Sequence, residues 1–180
     1  MEAREKGGAW ALEQVAQAGL RGRGGSGDGR PIGLKWRRVA TATAPERHVV
    51  ANGAESQAVS RKDRYLLACF PHRVLEGLLI AAHAVGARQT WLYVRGDSPE
   101  ALAGAREAVA EANAAGLLAG VTVTVQPSAP TAVSGEETAI LDALEGLEGY
   151  PQPKPPRPEE IGLRGRPTLV QNVESLAAVA

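Results

Sequence analysis

Short apolar runs alternate with amphipathic segments along most of this chain. Three of the runs are typical of buried strands: HVVA at 48–51, TWLYV at 90–94 and VTVTV at 121–125. β-branched and aromatic residues favour the packed environment of a sheet, and the segments between the runs have the spacing of helices. Strands that alternate with helices predict an α/β fold in which a mostly parallel sheet is flanked by helices.

Apolar residues at helical spacing predict the helices themselves. The predicted ranges are 10–18, 61–69, Pro71–Val85, 99–115 and 134–144, and the later part of 168–180 is also predicted to be helical. Pro71 and Pro99 each stand in a first turn, where the missing N–H of proline costs no hydrogen bond. Ser98 and Ser134 are candidate N-caps, and Glu137, three residues after Ser134, completes a capping box.

The pattern divides one 180-residue domain into four parts. An N-terminal helix occupies 1–18, an α/β core 19–149, a proline-rich connector 150–160 and a C-terminal segment 161–180. A chain of this length buries about 70% of its unfolded surface, which suffices for one packed core. The connector reads YPQPKPPRPEE, and its prolines predict extended backbone instead of a packed element.

Composition narrows the function classes. Twenty basic residues balance twenty acidic ones, so no overall field draws the protein to nucleic acid or to a membrane surface. The sequence has no run of 18 apolar residues and no signal-peptide pattern, which predicts a cytoplasmic protein without membrane insertion. Cys69 is the single cysteine, so this chain alone cannot form a disulfide or ligate an iron–sulfur cluster. Its surroundings, LLACF, predict a small core residue.

The first candidate for chemistry is the glycine-rich segment Gly22-Arg23-Gly24-Gly25-Ser26-Gly27. Successive glycines let backbone N–H groups converge on an anion, because no Cβ blocks the approach. Arg21, Arg30 and Lys35 add positive charge to the same stretch, which suits a phosphate. The segment follows a predicted helix and not a strand, unlike a dinucleotide fingerprint. A mobile loop is the plain alternative.

Three further segments carry polar side chains that suit ligand contacts. Asn52-Gly53-Ala54-Glu55-Ser56 follows a predicted strand, at the end that faces the ligand crevice of an open parallel sheet. Ser134-Gly135-Glu136-Glu137-Thr138 opens a predicted helix, and Gln171-Asn172 follows the connector. Each segment also has a purely structural interpretation. The first would be a polar turn, the second a pair of acids that interact favourably with a helix dipole, and the third a helix start.

Taken in order, these segments resemble one family. The motifs that carry the resemblance are GLRGRGG, PIGLKW, NGAES, KDRY, LYVRG, SGEETA with the LEG after it, KPPRP and QNVESL. They resemble the NADH-oxidising FMN subunit of respiratory complex I and its relatives in soluble hydrogenases and formate dehydrogenases. The resemblance runs from Gly19 to Leu176, and ordered blocks at similar spacing are far more specific than any one motif.

The resemblance implies a Rossmann-like α/β domain that binds FMN. No residue of the chain is given a catalytic or metal-binding role, since hydride chemistry belongs to the flavin. The cofactor-binding residues transferred by matching position are Gly22, Arg23, Gly24, Gly25, Lys35, Asn52, Glu55, Ser56, Gly135, Glu136, Glu137, Gln171 and Asn172. A redox partner subunit is the implied electron acceptor. Family members continue into a ubiquitin-like and an iron–sulfur domain, and we expect neither in this chain.

The sequence departs from the family where the nicotinamide nucleotide is expected to bind. The positions that differ are Arg30, Arg38 and Arg157 for three phenylalanines, Ala132 for a tyrosine, and Ala54 and Gln57 for two acids. Losing two base–aromatic contacts weakens a dinucleotide by about 30-fold or more. The arginines are compatible with the extra phosphate of NADPH, with stacking on a base, or with a solvated surface.

The sequence leaves three hypotheses for the function. An enzyme would pass electrons from NADH or NADPH through FMN to a partner, with Glu137 and Lys154 positioning the dinucleotide. A binding module would hold FMN or another nucleotide, or dock onto a larger complex, without redox chemistry. RNA binding through RGRGGSGDGR is disfavoured by the neutral net charge and the few aromatic residues.

Overall fold

A computed structural model describes residues 2–24, 30–55, 57 and 59–180. The helices are α1 (Glu2–Lys6), α2 (Gly8–Gln17), α3 (Ile32–Thr41), α4 (Lys62–Cys69), α5 (Pro71–Val85), α6 (Pro99–Ala114), α7 (Glu137–Leu144) and α8 (Val173–Ala177). The strands are β1 (His48–Gly53), β2 (Gln89–Arg95), β3 (Thr122–Ser128) and β4 (Thr168–Asn172), and a 3₁₀ turn covers Leu163–Gly165.

The described strands form one parallel sheet in the order β3-β2-β1-β4. From β1 the chain builds outward to β2 and β3, and β4 then adds on the other side of β1. The strand order therefore reverses between β1 and β4. In open parallel sheets, ligands bind at such a switch point, outside the carboxyl ends of the strands. We call the side where the strands end the carboxyl edge and the side where they begin the amino edge.

Side chains of β1 alternate between two apolar cores, as the two-residue period of a strand requires. Val49 and Ala51 enter the larger core, which α2, α3, α4, α5, α6 and α8 cover. Val50 enters a smaller core with Tyr93 and Ile140, on the face that α7 covers. The sheet is thus covered on both faces, and the predicted α/β class is confirmed.

The three predicted strands and the five predicted helix ranges all form, with ends shifted by a few residues except in α5, which matches. Two elements escaped prediction. Residues 32–41 form α3 directly after the glycine-rich segment. Residues 168–172 form β4, which pairs with β1, and the helix predicted for the later part of 168–180 forms as α8.

Three local predictions were wrong. Ser134 does not cap α7: its hydroxyl donates to the carbonyl of Thr131, while the Glu136 carboxylate caps the helix by accepting from the N–H groups of Thr138 and Ala139. Ser98 precedes α6 but makes no side-chain cap hydrogen bond. Cys69 is exposed and not in the core, because α4 buries Asp63 and Leu67 and turns its last residues outward.

The proline-rich connector forms no helix or strand, as predicted, yet it is not wholly exposed. Pro158 and Glu159 are buried, and the carbonyl of Pro158 accepts from the N–H of Thr168 at 2.8 Å. The connector therefore helps to dock the first residue of β4.

Within the described ranges, no single helix has the length and apolar character needed to cross a membrane. Helices α4 and α5 together have the required length and apolar character, but the pair is bent by 98°.

Candidate functional site

The carboxyl edge brings the chain's polar motifs together where β1 meets β4. Asn52 of β1 lies directly opposite Asn172 of β4 in the parallel register. The glycine-rich segment reaches the same point from outside the sheet, since a Cβ built at Gly24 would lie 3.6 Å from the Cβ of Asn172. Two motifs separated by more than a hundred residues thus meet at the switch point.

Asn172 organises this junction through both ends of its amide. Its Nδ2 donates to a carboxylate oxygen of Asp63 at 2.7 Å and to the carbonyl of Asn52 at 3.3 Å. Its Oδ1 accepts from the N–H of Glu174 at 3.0 Å and from Nζ of Lys62 at 3.2 Å. The side chain is 8% exposed, so Asn172 fastens β1, β4, α4 and α8 to one another.

Asp63 is a buried carboxylate in the first turn of α4. It is 3% exposed and accepts from Nζ of Lys62 at 2.6 Å as well as from Asn172. Burial raises the pKa of Asp63 above its usual value, although the hydrogen bonds and the charge of Lys62 oppose that shift. The Asp63 carboxylate and the Lys62 ammonium belong to the KDRY motif, for which the sequence alone indicated no role.

The glycine-rich segment is anchored at its described ends. The N–H of Ile32, after the segment, donates to the carbonyl of Leu20, before the segment, at 2.8 Å. The N–H of Arg23 donates to the hydroxyl of Ser175 at 2.9 Å, and its guanidinium pairs with Glu174 at 3.0 Å. The segment is therefore bound to α8, next to Asn172. Gly25 lies outside the described residues.

Gln171 faces the other side of β4 from its neighbour. Its Oε1 accepts from Nε1 of the fully buried Trp36 at 3.2 Å, which ties β4 to α3. Gln171 is 6% exposed. Gln171 and Asn172, which were predicted to contact the ligand together, thus have different contacts. Asn172 belongs to the junction with the glycine-rich segment, and Gln171 orients α3.

Helix α3 carries Lys35 toward the N-terminus of α7. Nζ of Lys35 lies 2.6 Å from a carboxylate oxygen of Glu137. Lys154, from the connector, lies 2.8 Å from the other oxygen of Glu137 and 2.7 Å from Glu136. Lys35, Lys154 and the adjacent Glu136 and Glu137 thus come from three separate segments and form one row of alternating charge.

Ion pairing favours the charged forms of these side chains. Burial is the largest influence on Glu137 and Glu136 and opposes their charge, but the lysines and hydrogen bonds outweigh it and lower the pKa of both. Burial likewise opposes the charge of Lys154, and its two carboxylate partners outweigh it and raise the pKa of Lys154. Glu136 also accepts from the N–H groups of Thr138 and Ala139, so it both caps α7 and binds Lys154.

Asn52 connects the two halves of the site. Its Nδ2 donates to the carbonyl of Gly135 at 2.9 Å, and its Oδ1 accepts from the N–H of Ala54 at 3.1 Å. The loop before α7 is therefore held against the end of β1. Predicted site residues Asn52, Gly135 and Glu136 lie together for this reason.

Glu55 continues from β1 into the site. Its backbone carbonyl accepts from Nη1 of Arg95 at 2.9 Å, at the end of β2. One carboxylate oxygen accepts from the hydroxyl of Ser60, while the other, Oε2, is buried and has no hydrogen-bond partner among the described residues. Nε of Arg64 lies 3.7 Å from it. Ser56, also predicted, lies outside the described residues.

Comparison with known proteins places this geometry in a family. Residues 15–180 match the family model described as the Nuo51 FMN-binding domain. An NADH-quinone oxidoreductase subunit of Streptomyces coelicolor is 41% identical over 93% of this chain and 39% of its own length. The corresponding protein of Aquifex aeolicus is 37% identical over 93% of this chain and 41% of its own length. The chain thus spans about two-fifths of these relatives.

A solved structure agrees with the sequence comparisons. A chain of an NAD⁺-reducing NiFe hydrogenase, crystallised in the H₂-reduced state, superimposes with a TM-score of 0.88 and 38% identity. The match covers 94% of this chain and 29% of the hydrogenase chain. The resemblance seen in the motifs is confirmed, and this chain belongs to the family of Nuo51 FMN-binding domains.

Proposed function

We propose that the chain binds FMN at the carboxyl edge, in a crevice outside the ends of β1 and β4, and serves hydride exchange with a nicotinamide nucleotide. One observation carries the proposal: the glycine-rich segment, Asn52 and Asn172 converge at the switch point of the parallel sheet. FMN is the cofactor of the family to which the chain belongs. Hydride exchange comes from the names of its relatives, an NADH-quinone oxidoreductase and an NAD⁺-reducing hydrogenase.

The charges beside Gly24 support a phosphate at the glycine-rich segment. Arg23 and Lys62 both lie against Glu174, at 3.0 and 3.1 Å. A phosphate carries more charge than a carboxylate and binds guanidinium and ammonium groups strongly. We expect Gly22, Arg23, Gly24 and Gly25 to hold the phosphate, with Asn172 fixing the segment in place.

Glu55 supports the fit of a flavin nucleotide in the remaining space. A buried carboxylate oxygen favours a hydrogen-bond donor, and Oε2 of Glu55 has none among the described residues, although Nε of Arg64 lies 3.7 Å from it. FMN has donors of the right kind, in its ribityl hydroxyls and its ring N–H. Asn52 and the loop from Gly135 to Glu136 supply further polar groups to the same space. The residues present fit the cofactor.

When bound, FMN supplies the hydride-accepting chemistry, and the protein supplies orientation and electrostatics. Glu137 is ionised at neutral pH, because Lys35 and Lys154 hold its pKa low. Its two partners also fix its position, at 2.6 and 2.8 Å. We assign to Glu137 and Lys154 the role of holding the nicotinamide nucleotide against the flavin.

We expect the electrons of the flavin to pass on to a redox partner. The curated relatives are subunits by name, and this chain spans about two-fifths of their length. A redox partner subunit and a cytoplasmic location stay predictions. So does the set of binding residues, including Gln171 and Ser56.

A second function, nucleotide binding without hydride transfer, is favoured by one contact. The sequence resemblance expects an aromatic ring at Arg38, but the Arg38 guanidinium lies 3.9 Å from the buried carboxylate of Glu159. Arg157, another such position, is exposed on the connector. A charged pair replaces an apolar surface for stacking at this place, which weakens the case for tight binding of an adenine ring.

An anaerobic titration separates the two functions. The purified chain is loaded with FMN and then mixed with NADH or NADPH while the visible absorbance of the flavin is followed. Bleaching with formation of oxidised nucleotide supports hydride exchange. Retained flavin that does not bleach supports the binding module, and failure to retain FMN contradicts both.

The variant Glu137→Gln tests the residue roles. It removes the charge that faces Lys35 and Lys154 but keeps the shape, so we expect bleaching to slow at least tenfold while FMN stays bound. Glu148→Gln is the matched control, because Glu148 is exposed and forms no ion pair with a described residue. Equal rates for the two variants would remove Glu137 from the proposed role.

A further inference from the structure

A cavity of about 610 Å³ lies at the amino edge, on the opposite side of the sheet from the flavin crevice. Its walls come from α1, from the last turn of α5, and from the loops that lead into β2 and β3. Strand β2 has seven residues, so about 20 Å of sheet separate the two edges. The cavity has a volume typical of small-molecule sites and is distinct from the proposed flavin site.

Every titratable side chain that lines this cavity is basic: Arg4, His83 and Arg88. A third guanidinium lies beside it, since a Cβ built at Gly86 would be 3.9 Å from Nη1 of Arg47. The floor is apolar and includes Leu79 and Val121. The lining therefore combines a cationic rim with an apolar base.

The arginines of the amino edge are oriented by backbone carbonyls and not by carboxylates. Arg47 donates from Nε to the carbonyl of Val39 at 2.9 Å and from Nη2 to that of Ala42 at 2.7 Å. Arg4 donates to the carbonyl of Leu117. No described carboxylate forms an ion pair with Arg4, Arg47 or Arg88. Two of these guanidinium groups are thus held in place without having their charge neutralised.

The carboxyl edge differs in this respect. Arg23, Lys35, Lys62 and Lys154 each form an ion pair of 3.0 Å or less with a carboxylate of the chain. The whole sequence has equal numbers of acidic and basic residues. The positive charge of these arginines, which form no ion pair with a described carboxylate, is therefore a local feature and not the consequence of a basic protein.

The backbone adds donors at the same place. Ala119 has φ of 50° and Gly120 φ of 79°, two consecutive residues in the left-handed region. Such a backbone is costly for alanine and concentrates at functional sites. The N–H groups of Ala119 and Gly120 donate to no acceptor among the described residues. Both line the cavity.

We propose that the amino-edge cavity is a second binding site, which takes a small organic phosphate. Guanidinium groups bind phosphate through paired hydrogen bonds, and a cluster of two or three suits a doubly charged anion. The volume exceeds that of a bare ion, and the apolar floor suits the organic part of a nucleotide-sized molecule. This site is independent of the flavin and of the proposed hydride exchange.

Titration of the ¹⁵N-labelled full chain with AMP, and separately with pyrophosphate, tests the proposal by ¹H–¹⁵N NMR. It is run on the chain as purified and again after loading with FMN. We expect saturable shifts of the amide signals of Gly86, Arg88, Ala119 and Gly120 in both samples. The double variant Arg4→Gln, Arg88→Gln should weaken binding at least tenfold, and Arg88→Lys, which keeps the charge, should weaken it less.

Arg106→Gln is the matched control, because Arg106 is exposed on α6 and does not line the cavity. It should bind the probes as the unaltered chain does, and the spectrum of each variant reports whether its fold is intact. The proposal is overturned by an absence of saturable shifts, by shifts confined to the carboxyl edge, or by an equal loss in Arg106→Gln. Binding of a polyglutamate peptide without binding of AMP or pyrophosphate would also overturn it and indicate a protein partner.

Discussion

At the scale of single residues, the site depends on side chains that hold one another and not on isolated ligands. Both the Nδ2 and the Oδ1 atoms of Asn172 form hydrogen bonds within the protein. Among its partners, Asp63 determines the orientation of the amide. A carboxylate only accepts, so it selects Nδ2 and leaves Oδ1 for the N–H of Glu174. The buried charge of Asp63 thus acts on α8 through Asn172.

Asp63→Asn should therefore reduce stability by about 1–3 kcal/mol, because Asn172 and Lys62 lose a charged acceptor inside the protein. Urea unfolding at neutral pH measures this. Asp97→Asn is the control, since the Asp97 carboxylate pairs with Arg95 at 2.7 Å but is itself 45% exposed. Exposed ion pairs contribute at most about 1 kcal/mol. Equal losses in the two variants would show that Asp63 has no organising role.

His48 makes stability depend on pH. It is 3% exposed at the start of β1, its Nδ1 has no hydrogen-bond partner among the described residues, and burial lowers its pKa below the usual value of 6.5. Below pH 6.5 the unfolded chain therefore takes up a proton that the folded chain resists. Stability should fall as pH drops from about 6.5 through the folded pKa.

The measurement is urea unfolding across pH 5 to 7, with His48→Gln and His72→Gln compared. His72 is exposed beside Glu111. The pH dependence should flatten in His48→Gln and persist in His72→Gln. A dependence that survives the loss of His48 would assign it to other groups.

At the scale of elements, glycines set how closely the helices approach. Several glycines within helices face another helix at a distance that a Cβ could not keep, and Gly77 and Gly104 are the tightest cases. At Gly77 a Cβ would lie 2.0 Å from the carbonyl oxygen of Leu176, and at Gly104 it would lie 2.4 Å from that of Leu67. These contacts join α5 to α8 and α6 to α4. Each pair includes a helix of the candidate site: α8 carries Glu174, and α4 carries Asp63.

Gly77→Ala should cost about 1–3 kcal/mol or more, because the obstructing atoms belong to a backbone that cannot rotate away. It should also weaken FMN binding, since α8 carries the partners of Arg23. Thermal unfolding and FMN titration report the two effects. Glu76→Ala, on the exposed side of the same helix, should stay within about 0.5 kcal/mol. An unaffected Gly77→Ala would mean that α8 adjusts freely.

Sequence patterns predicted most elements but not β4. Its residues TLVQN are all buried, so they lack the alternation of a half-exposed strand, and the helix that follows begins without a break. A short buried strand cannot be told from a helical segment by period alone. The cap of α7 failed for a similar reason: Ser134 and Glu136 both suit a helix start, and the hydrogen bonds of the folded loop decide between them.

At the scale of the whole molecule, the sequence predicted a set of site motifs but not the contacts that join them. Asn52, Asn172 and Arg23 were predicted site residues, and they do meet at the carboxyl edge. The partners that hold them come from distant segments, such as Asp63, which is 109 residues from Asn172. No local period reports such contacts. Only the order of the strands brings them together.

The two edges of the sheet also differ in a way that composition conceals. A chain with no net charge has internally paired cations at the carboxyl edge, and at the amino edge it has arginines that no described carboxylate pairs. The fold thus separates one region suited to a flavin nucleotide from another suited to a second anion. Neither follows from the balance of acidic and basic residues.

The most direct test of the central claim is a crystal structure of the chain grown with FMN. We predict electron density for FMN in the crevice outside the carboxyl ends of β1 and β4, with its phosphate at Gly22–Gly24 and polar contacts to Asn52 and Glu55. Density for FMN at another place, or an empty crevice at saturating FMN, would contradict the account.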